Sequence, residues 1–215
     1  MRLAIFDLDG TVLDTLDDIT DAINLMLEKT GYRTIGREDV RKIVGSGARK
    51  LVRDSLPEEV SEERLNYCLD IYSKIYDASG SPKTRVFDGL NEVFSELKRR
   101  GYFIAVLSNK PQTSTDKVYE KYLTGYGFDI VCGQSETIKC KPDPAGALFI
   151  INKFGVPKDD VYFIGDGETD VKTAINAHVN GVGVLWGNRT RRQLESAGCK
   201  IFAETPKDLL GILPL

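Results

Sequence analysis

The sequence predicts an α/β protein: a mainly parallel sheet flanked by helices, with an all-helical unit inserted after the first strand. Three observations predict it. From Val86 onward, short apolar runs of strand formers alternate with stretches of helical period, the pattern of a parallel sheet covered on both faces. Residues 37–77, by contrast, carry helical periodicity alone. Several apolar runs also end abruptly in carboxylates, hydroxyls and glycines, as strands do when they deliver polar groups to the carboxyl edge of such a sheet.

The first strand is Leu3–Phe6, and Asp7 sits at its tip before Leu8-Asp9-Gly10-Thr11. Side chains alternate along a strand, so Asp7 and Asp9 can point into one space. Their repulsion must then be offset by a shared proton, a divalent cation or a cationic side chain. Gly10 permits a tight turn, and Thr11 supplies a hydroxyl where a helix could begin. Leu16, Ile19, Ile23 and Leu27, with Ala22 and Met26 beside them, form one helical stripe that stops near Gly31. Three further helical stretches follow: Val40, Ile43 and Val44; Leu51, Val52 and Leu56; and Leu65 through Ile75. Asp14–Thr15 reads as the outgoing linker and the breaker-rich stretch 78–83 as the return, so the chain crosses twice between modules and can hinge there. Residues 1–14 and 84–215 are expected to form the core, and 15–83 the inserted helical domain.

Beyond the return, a helix over about 91–100 ends at Gly101, and Tyr102–Leu107 is a continuous apolar strand ending in Ser108-Asn109-Lys110-Pro111. A helix starts near Pro111, and a short strand covers 129–132. Lys139–Pro144 leads into a helix through Leu148, Ile151 and Phe154, with Asp143 as its expected N-cap and Gly155 as its stop. The strand Val161–Ile164 ends in Gly165-Asp166-Gly167-Glu168-Thr169-Asp170, and a helix from about Thr169 to Ala177 follows. Strands at 182–185 and near 200–203 complete the alternation.

A chain of 215 residues can bury a full core. Its net charge of −3 argues against nucleic-acid and anionic-membrane partners. With no signal-peptide pattern and no apolar run of membrane-spanning length, the expected location is the cytoplasm. Cys68, Cys132, Cys140 and Cys199 lack metal or disulfide spacing and read as reduced thiols. His178, the sole histidine, reads as a helix-end residue near the core. Trp186 reads as strand-end packing beside a loop that borders the cleft.

At the carboxyl edge of the sheet these strand ends bring Asp7, Asp9, Ser108, Asn109, Asp166 and Asp170 to one cleft, with Lys141 on a loop that reaches it. Oxygen-only ligands suit a hard cation such as Mg2+, which takes one or two carboxylates, waters and a phosphate oxygen. A lysine and helix N-termini suit the remaining phosphate charge. The site therefore reads as built for a phosphoryl group.

The order of these motifs resembles the haloacid dehalogenase superfamily: an Asp-x-Asp-Gly-Thr strand end (Asp7–Thr11), a serine (Ser108), a lysine (Lys141, followed by Pro142-Asp143) and a Gly-Asp-x-x-x-Asp pair (Asp166 and Asp170). The resemblance spans the chain and implies a Rossmann-like core with a helical cap between the first two motifs. It implies Asp7 as the nucleophile that becomes a phosphoaspartate and Asp9 as acid and base. It further implies Thr11, Ser108 and Asn109 on phosphoryl oxygens, and Lys141 neutralising the nucleophile and the transferring group. Mg2+ would be held by Asp7, the Asp9 main-chain carbonyl, Asp166 and, directly or through water, Asp170, with Glu168 behind them.

Departures within the superfamily narrow the activity. Asp9 argues against dehalogenation, Leu8 stands where the transporting ATPases carry lysine, and Ile19 stands where sugar-phosphate mutases carry a cap histidine. The stretches Asp14–Ile19 and Val44–Arg49 resemble phosphoglycolate phosphatases, which implies that Gly45 and Gly47 shape a loop entering the cleft and that Arg49 meets a substrate carboxylate. The expected partner is a small phosphorylated metabolite, 2-phosphoglycolate first, with pyrophosphate, sugar phosphates and nucleoside monophosphates as alternatives. A receiver-like phospho-signalling module or a silent metabolite binder is the reading of another class, and monomer and homodimer both stay open.

Overall fold

The computed structural model describes residues 1–57 and 59–215; Glu58, inside the stretch expected to be helical, lies outside the described residues. The chain starts with β1 (Arg2–Phe6), whose apolar run stops at Asp7. The Gly10 N–H donates to the Leu13 carbonyl, and the Leu13 N–H to the Leu8 carbonyl, both at 2.8 Å. The chain therefore reverses into β2 (Leu13–Asp14), and no helix begins at Thr11. The insertion follows as α1 (Leu16–Lys29), α2 (Arg37–Ile43), α3 (Ala48–Ser55) and α4 (Glu62–Ser79). Ser61 starts α4 by accepting the Arg64 N–H at 3.2 Å, while Gly80 ends it in the left-handed region.

The chain returns through β3 (Arg85–Val86), then α5 (Leu90–Arg99), β4 (Tyr102–Pro111), α6 (Gln112–Val118), β5 (Ile130–Gln134) and α7 (Ala145–Phe154). It ends with β6 (Val161–Gly165), α8 (Glu168–Ala177), β7 (Asn180–Val184), α9 (Arg191–Ser196), β8 (Ile201–Ala203) and α10 (Leu209–Ile212). Six strands form one parallel sheet in the order β5-β4-β1-β6-β7-β8, a Rossmann-like α/β arrangement with β1 inside it. Strand alternation sorts the core into two layers. Ala4, Phe6, Ile104 and Val106 pack with Leu90, Val93, Phe94 and Leu97 of α5 on one face. Leu3, Ile5, Ala105 and Phe163 pack with Ala147, Ile150 and Ile151 of α7 and Ala174 and Ala177 of α8 on the other. Phe6 meets Phe94 edge to face at 5.2 Å, a favoured aromatic geometry.

The helical insertion has its own apolar cluster, in which Ile19, Ile23 and Leu27 of α1 meet Val52, Leu65, Cys68 and Tyr72. The two crossings pair with each other: β2 and β3 form an antiparallel ribbon, Leu13 opposite Val86 and Asp14 opposite Arg85. Asp18 anchors the return segment. Its buried carboxylate accepts the Lys83 N–H at 3.1 Å and the Thr84 hydroxyl at 2.7 Å.

Three elements depart from expectation. β4 continues past Leu107 to Pro111, so Ser108, Asn109 and Lys110 stand on the strand's end. A π-turn, Tyr119–Leu123, extends α6. Pro144, not Asp143, precedes the first residue of α7; Asp143 still satisfies that first turn by accepting the Ala145 N–H at 2.9 Å. The four cysteines are unbridged, and among the described residues no helix is long and apolar enough to cross a membrane.

Candidate active site

Asp7 follows directly on β1, and its N–H continues the sheet to the Ile164 carbonyl of β6 at 2.8 Å. Lys141 is buried, and its Nζ donates to Asp7 Oδ1 and to Asp170 Oδ1, each at 2.6 Å. Asp7, Asp166 and Asp170, all buried, each offer an oxygen within 4.8 Å of the others, the three-acid cluster found among the described residues. Asp166 accepts from the Thr11 hydroxyl at 3.1 Å, the Asn188 N–H at 2.7 Å and the Asn188 side-chain amide at 3.0 Å. Asp170 also accepts the Gly167 N–H at 2.9 Å, which closes the first turn of α8.

The charges do not balance. Three carboxylates face one ammonium, so the cluster keeps excess negative charge in a desolvated place. Burial and then Asp170 push Asp7 up, against the pull of Lys141. Burial and Asp170 likewise raise Asp166 to about 6, while Asn188 and Thr11 pull it back. Burial opposes the Lys141 ammonium, but Asp170 and Asp7 outweigh it and hold the pKa above its ordinary value. An all-oxygen donor set with this excess fits a hard divalent cation such as Mg2+.

Asp9 belongs to a separate pair. Its Oδ2 lies 3.3 Å from Lys110 Nζ, and its buried Oδ1 has no partner. Lys110 in turn donates to the Tyr76 hydroxyl at 3.1 Å and lies 4.5 Å from the centre of that ring, which stacks on Tyr72. A cavity of about 290 Å³ lies between core and insertion. Asp7, Asp9, Ser108, Asn109 and Lys110 line it from the core, and Ile19, Val44, Gly45, Gly47, Leu51, Tyr72 and Tyr76 from the helices.

The structure brings most of the expected residues together and relocates three. Thr11 is fully buried and its hydroxyl donates to Asp166, so it orients an acid. The Asn109 side chain is a strut: its amide donates to the carbonyls of Gly45 (3.1 Å) and Lys141 (3.2 Å), and its oxygen accepts the Lys141 N–H at 2.6 Å. It ties the glycine loop of the insertion to the loop that carries the lysine. Arg49 is half-exposed, bound to Glu62 and to the Asn66 side chain, and is not among the residues lining the cavity. It is the second residue of α3, and its side chain reaches across to Glu62 and Asn66 of α4. Ser108 lines the cavity and accepts the Lys110 N–H at 3.1 Å.

Gly10 is required where it stands. Its φ is +94°, and a Cβ there would lie 2.3 Å from both Asp166 Oδ2 and Asn188 Nδ2. Trp186 donates its ring N–H to the Thr11 carbonyl at 3.0 Å and so fixes the same turn. His178 ends α8 in the left-handed region.

Lys110, Tyr76, Asn188 and Arg189 were not legible as site residues. Neither Lys110 nor Arg189 stands out from the sequence, yet each side chain is only 9% exposed. Arg189 is held by Glu168 at 2.9 Å and donates to the carbonyls of Arg41 (2.6 Å), Lys42 (3.1 Å) and Val44 (2.8 Å), capping the C-terminus of α2 from the core.

Two acids just past the first strand, a lysine bridging the first of them to an acid on the helix after β6, and a helical insertion over the cleft define a class of hydrolase, and comparison with known proteins agrees. The model of the haloacid dehalogenase-like hydrolases matches residues 4–184, and the chain belongs to that family. It is 32% identical to phosphoglycolate phosphatase 1 of Pseudomonas aeruginosa over 97% of this chain and 78% of that one. It is 34% identical to a phosphoglycolate phosphatase of Pseudomonas syringae pv. tomato, over 100% of this chain and 80% of the other. Among solved structures, a protein of Lactobacillus delbrueckii subsp. bulgaricus, provisionally assigned as a phosphoglycolate phosphatase, superposes with a TM-score of 0.92 at 31% identity over 99% of both chains. The chain is thus a phosphoglycolate phosphatase-like enzyme of this family.

Proposed function

We propose that this chain hydrolyses a small phosphomonoester through an aspartyl-phosphate on Asp7, with Mg2+ as cofactor and 2-phosphoglycolate as substrate. The observation that carries the reading is that Asp7, which lines the cavity together with Asp9, is held by the buried Lys141 ammonium 2.6 Å away. Lys141 occupies Asp7 Oδ1, which leaves Oδ2 for attack on phosphorus. As the new bond to Asp7 forms, the bond from phosphorus to the ester oxygen breaks, and Asp9 supplies that oxygen's proton. Asp9, now a carboxylate, takes a proton from water; the water oxygen attacks phosphorus, and the Asp7 carboxylate leaves. Lys141 offsets charge on Asp7 throughout and, through Asp170, keeps its own position.

Asp7, Asp166 and Asp170 would hold Mg2+, which when bound supplies positive charge beside the phosphoryl oxygens. Residues 15–83 act as a separate domain that opens for entry and closes to exclude water, with the β2–β3 ribbon as the hinge. The relatives' names support 2-phosphoglycolate over the other esters.

The test is phosphate release from 2-phosphoglycolate, pyrophosphate, a sugar phosphate and a nucleoside monophosphate, with Mg2+ and with chelator. A Mg2+-dependent preference for 2-phosphoglycolate is expected, and Asp7→Asn should abolish turnover while the protein still melts cooperatively. Turnover by Asp7→Asn, or full activity in chelator, would refute the mechanism; preference for another ester would replace the substrate alone.

A further inference from the structure

If Asp9 protonates the leaving oxygen, the atoms attached to that oxygen are delivered next to whatever neighbours Asp9. That neighbour is Lys110, with Nζ 3.3 Å from Asp9 Oδ2. Of the residues lining the cavity, Lys110 alone carries a positive charge; the others are acids, small hydroxyls, glycines, apolar or aromatic side chains such as Ile19, Leu51 and Tyr72, and Asn109, whose amide is committed to the carbonyls of Gly45 and Lys141. Its side chain is only 9% exposed, and the ammonium is held between Asp9 and Tyr76. An ammonium has three N–H donors. Tyr76 and Asp9 take two directions, which leaves one for a ligand.

We infer that Lys110 is the specificity-determining residue of this enzyme, selecting esters whose leaving group carries a carboxylate one carbon from the ester oxygen. The inference rests on the proposed phosphatase reading and names the substrate class of that same site. A carboxylate so close to the ester oxygen falls within reach of the ammonium that flanks Asp9, whereas an alkyl or hydroxyl substituent leaves that donor without a charged partner. Arg49, the residue that the motif resemblance implies for this task, is bound to Glu62 and Asn66 outside the cavity. Tyr76 belongs to α4, so Lys110 has its full set of contacts only when the helices are seated on the core, and selection is coupled to closure.

The experiment compares 2-phosphoglycolate with ethyl phosphate, which replaces the carboxylate by a methyl group, in the wild type and in Lys110→Met, Lys110→Arg and Arg49→Ala. Lys110→Met also removes the partner of Asp9 and slows both esters, so the readout is the ratio of their kcat/KM values. The wild-type ratio should favour 2-phosphoglycolate. Lys110→Met should lower that ratio about 10- to 100-fold, the worth of one hydrogen bond between charged groups. Lys110→Arg should restore much of it, and Arg49→Ala should leave it unchanged. Should Lys110→Met fail to fold by thermal melting, glycolate inhibition of ethyl phosphate hydrolysis, compared between wild type and Lys110→Arg, carries the test; glycolate that fails to inhibit the wild type overturns the inference. Equal losses on both esters, or a ratio that falls in Arg49→Ala, likewise overturn it. A wild type that hydrolyses ethyl phosphate as well as 2-phosphoglycolate removes Lys110's selective role and leaves the phosphatase reading standing. A wild type that hydrolyses neither fails the phosphatase reading itself.

Discussion

Each buried charge of the candidate site is held by a neighbour whose removal has a calculable sign. Lys141 is the ammonium between Asp7 and Asp170, and Asp166 stands in the same cluster. Taking away one partner of a buried charge network costs about 3–5 kcal/mol, because the charges left behind are neither solvated nor paired. Lys141→Met is therefore expected to destabilise the protein by that order in urea unfolding, and added Mg2+ should return part of the loss. A variant as stable as wild type in chelator would show that the three acids share protons or water instead of leaning on the lysine. Asp7→Asn has the opposite sign. Burial already disfavours the ionised form of Asp7, so the neutral amide should melt no lower than the wild type despite the loss of turnover.

At the scale of elements, directional hydrogen bonds join core and inserted helices at several points, among them Lys110 to Tyr76 and Lys117 to Asp77. Arg189 reaches from the loop after β7 to three carbonyls at the end of α2, and Asn109 reaches from the end of β4 to Gly45. Both donors act on the segment 41–45, which borders the glycine loop of the cavity. Arg189→Ala leaves those carbonyls to water and should speed amide hydrogen exchange across α2 and residues 44–47, with KM rising several-fold and the core's protection unchanged. Unchanged exchange there would mean that α2 is held by its apolar contacts alone. The strands and most helices were legible because period and breakers are local properties: Leu16–Leu27 and Tyr102–Leu107 declare themselves without their partners. The acids and Lys141 were legible because strand ends of a parallel sheet share one edge. Lys110, Arg189 and Asn188 were not, since what makes them important is a partner far away in the chain. Lys110 looks like any lysine before a proline until Tyr76 and Asp9 are placed on either side of it. Arg49 is the reverse case: its sequence neighbours suggest a ligand, and the structure pairs it with Glu62, thirteen residues on.

At the scale of the whole molecule, the site depends on strands that enter the chain far apart. β1 comes first in sequence yet lies between β4 and β6, and the pair Asp166 and Asp170 arrives only after residue 165. The inserted helices possess a cluster of their own, and the core's two layers do not draw on it. Seen from the core, the whole insertion leaves and returns through neighbouring residues, because Asp14 lies opposite Arg85 in an antiparallel pair. Two chain ends so placed can be joined by a two-residue turn of the hairpin kind. The insertion is, in effect, an interchangeable head on a fixed handle: a tight turn in place of residues 15–84 would spare Asp7, Asp9, Lys141, Asp166 and Asp170, and a different helical head on the same ribbon would meet those groups with another set of walls.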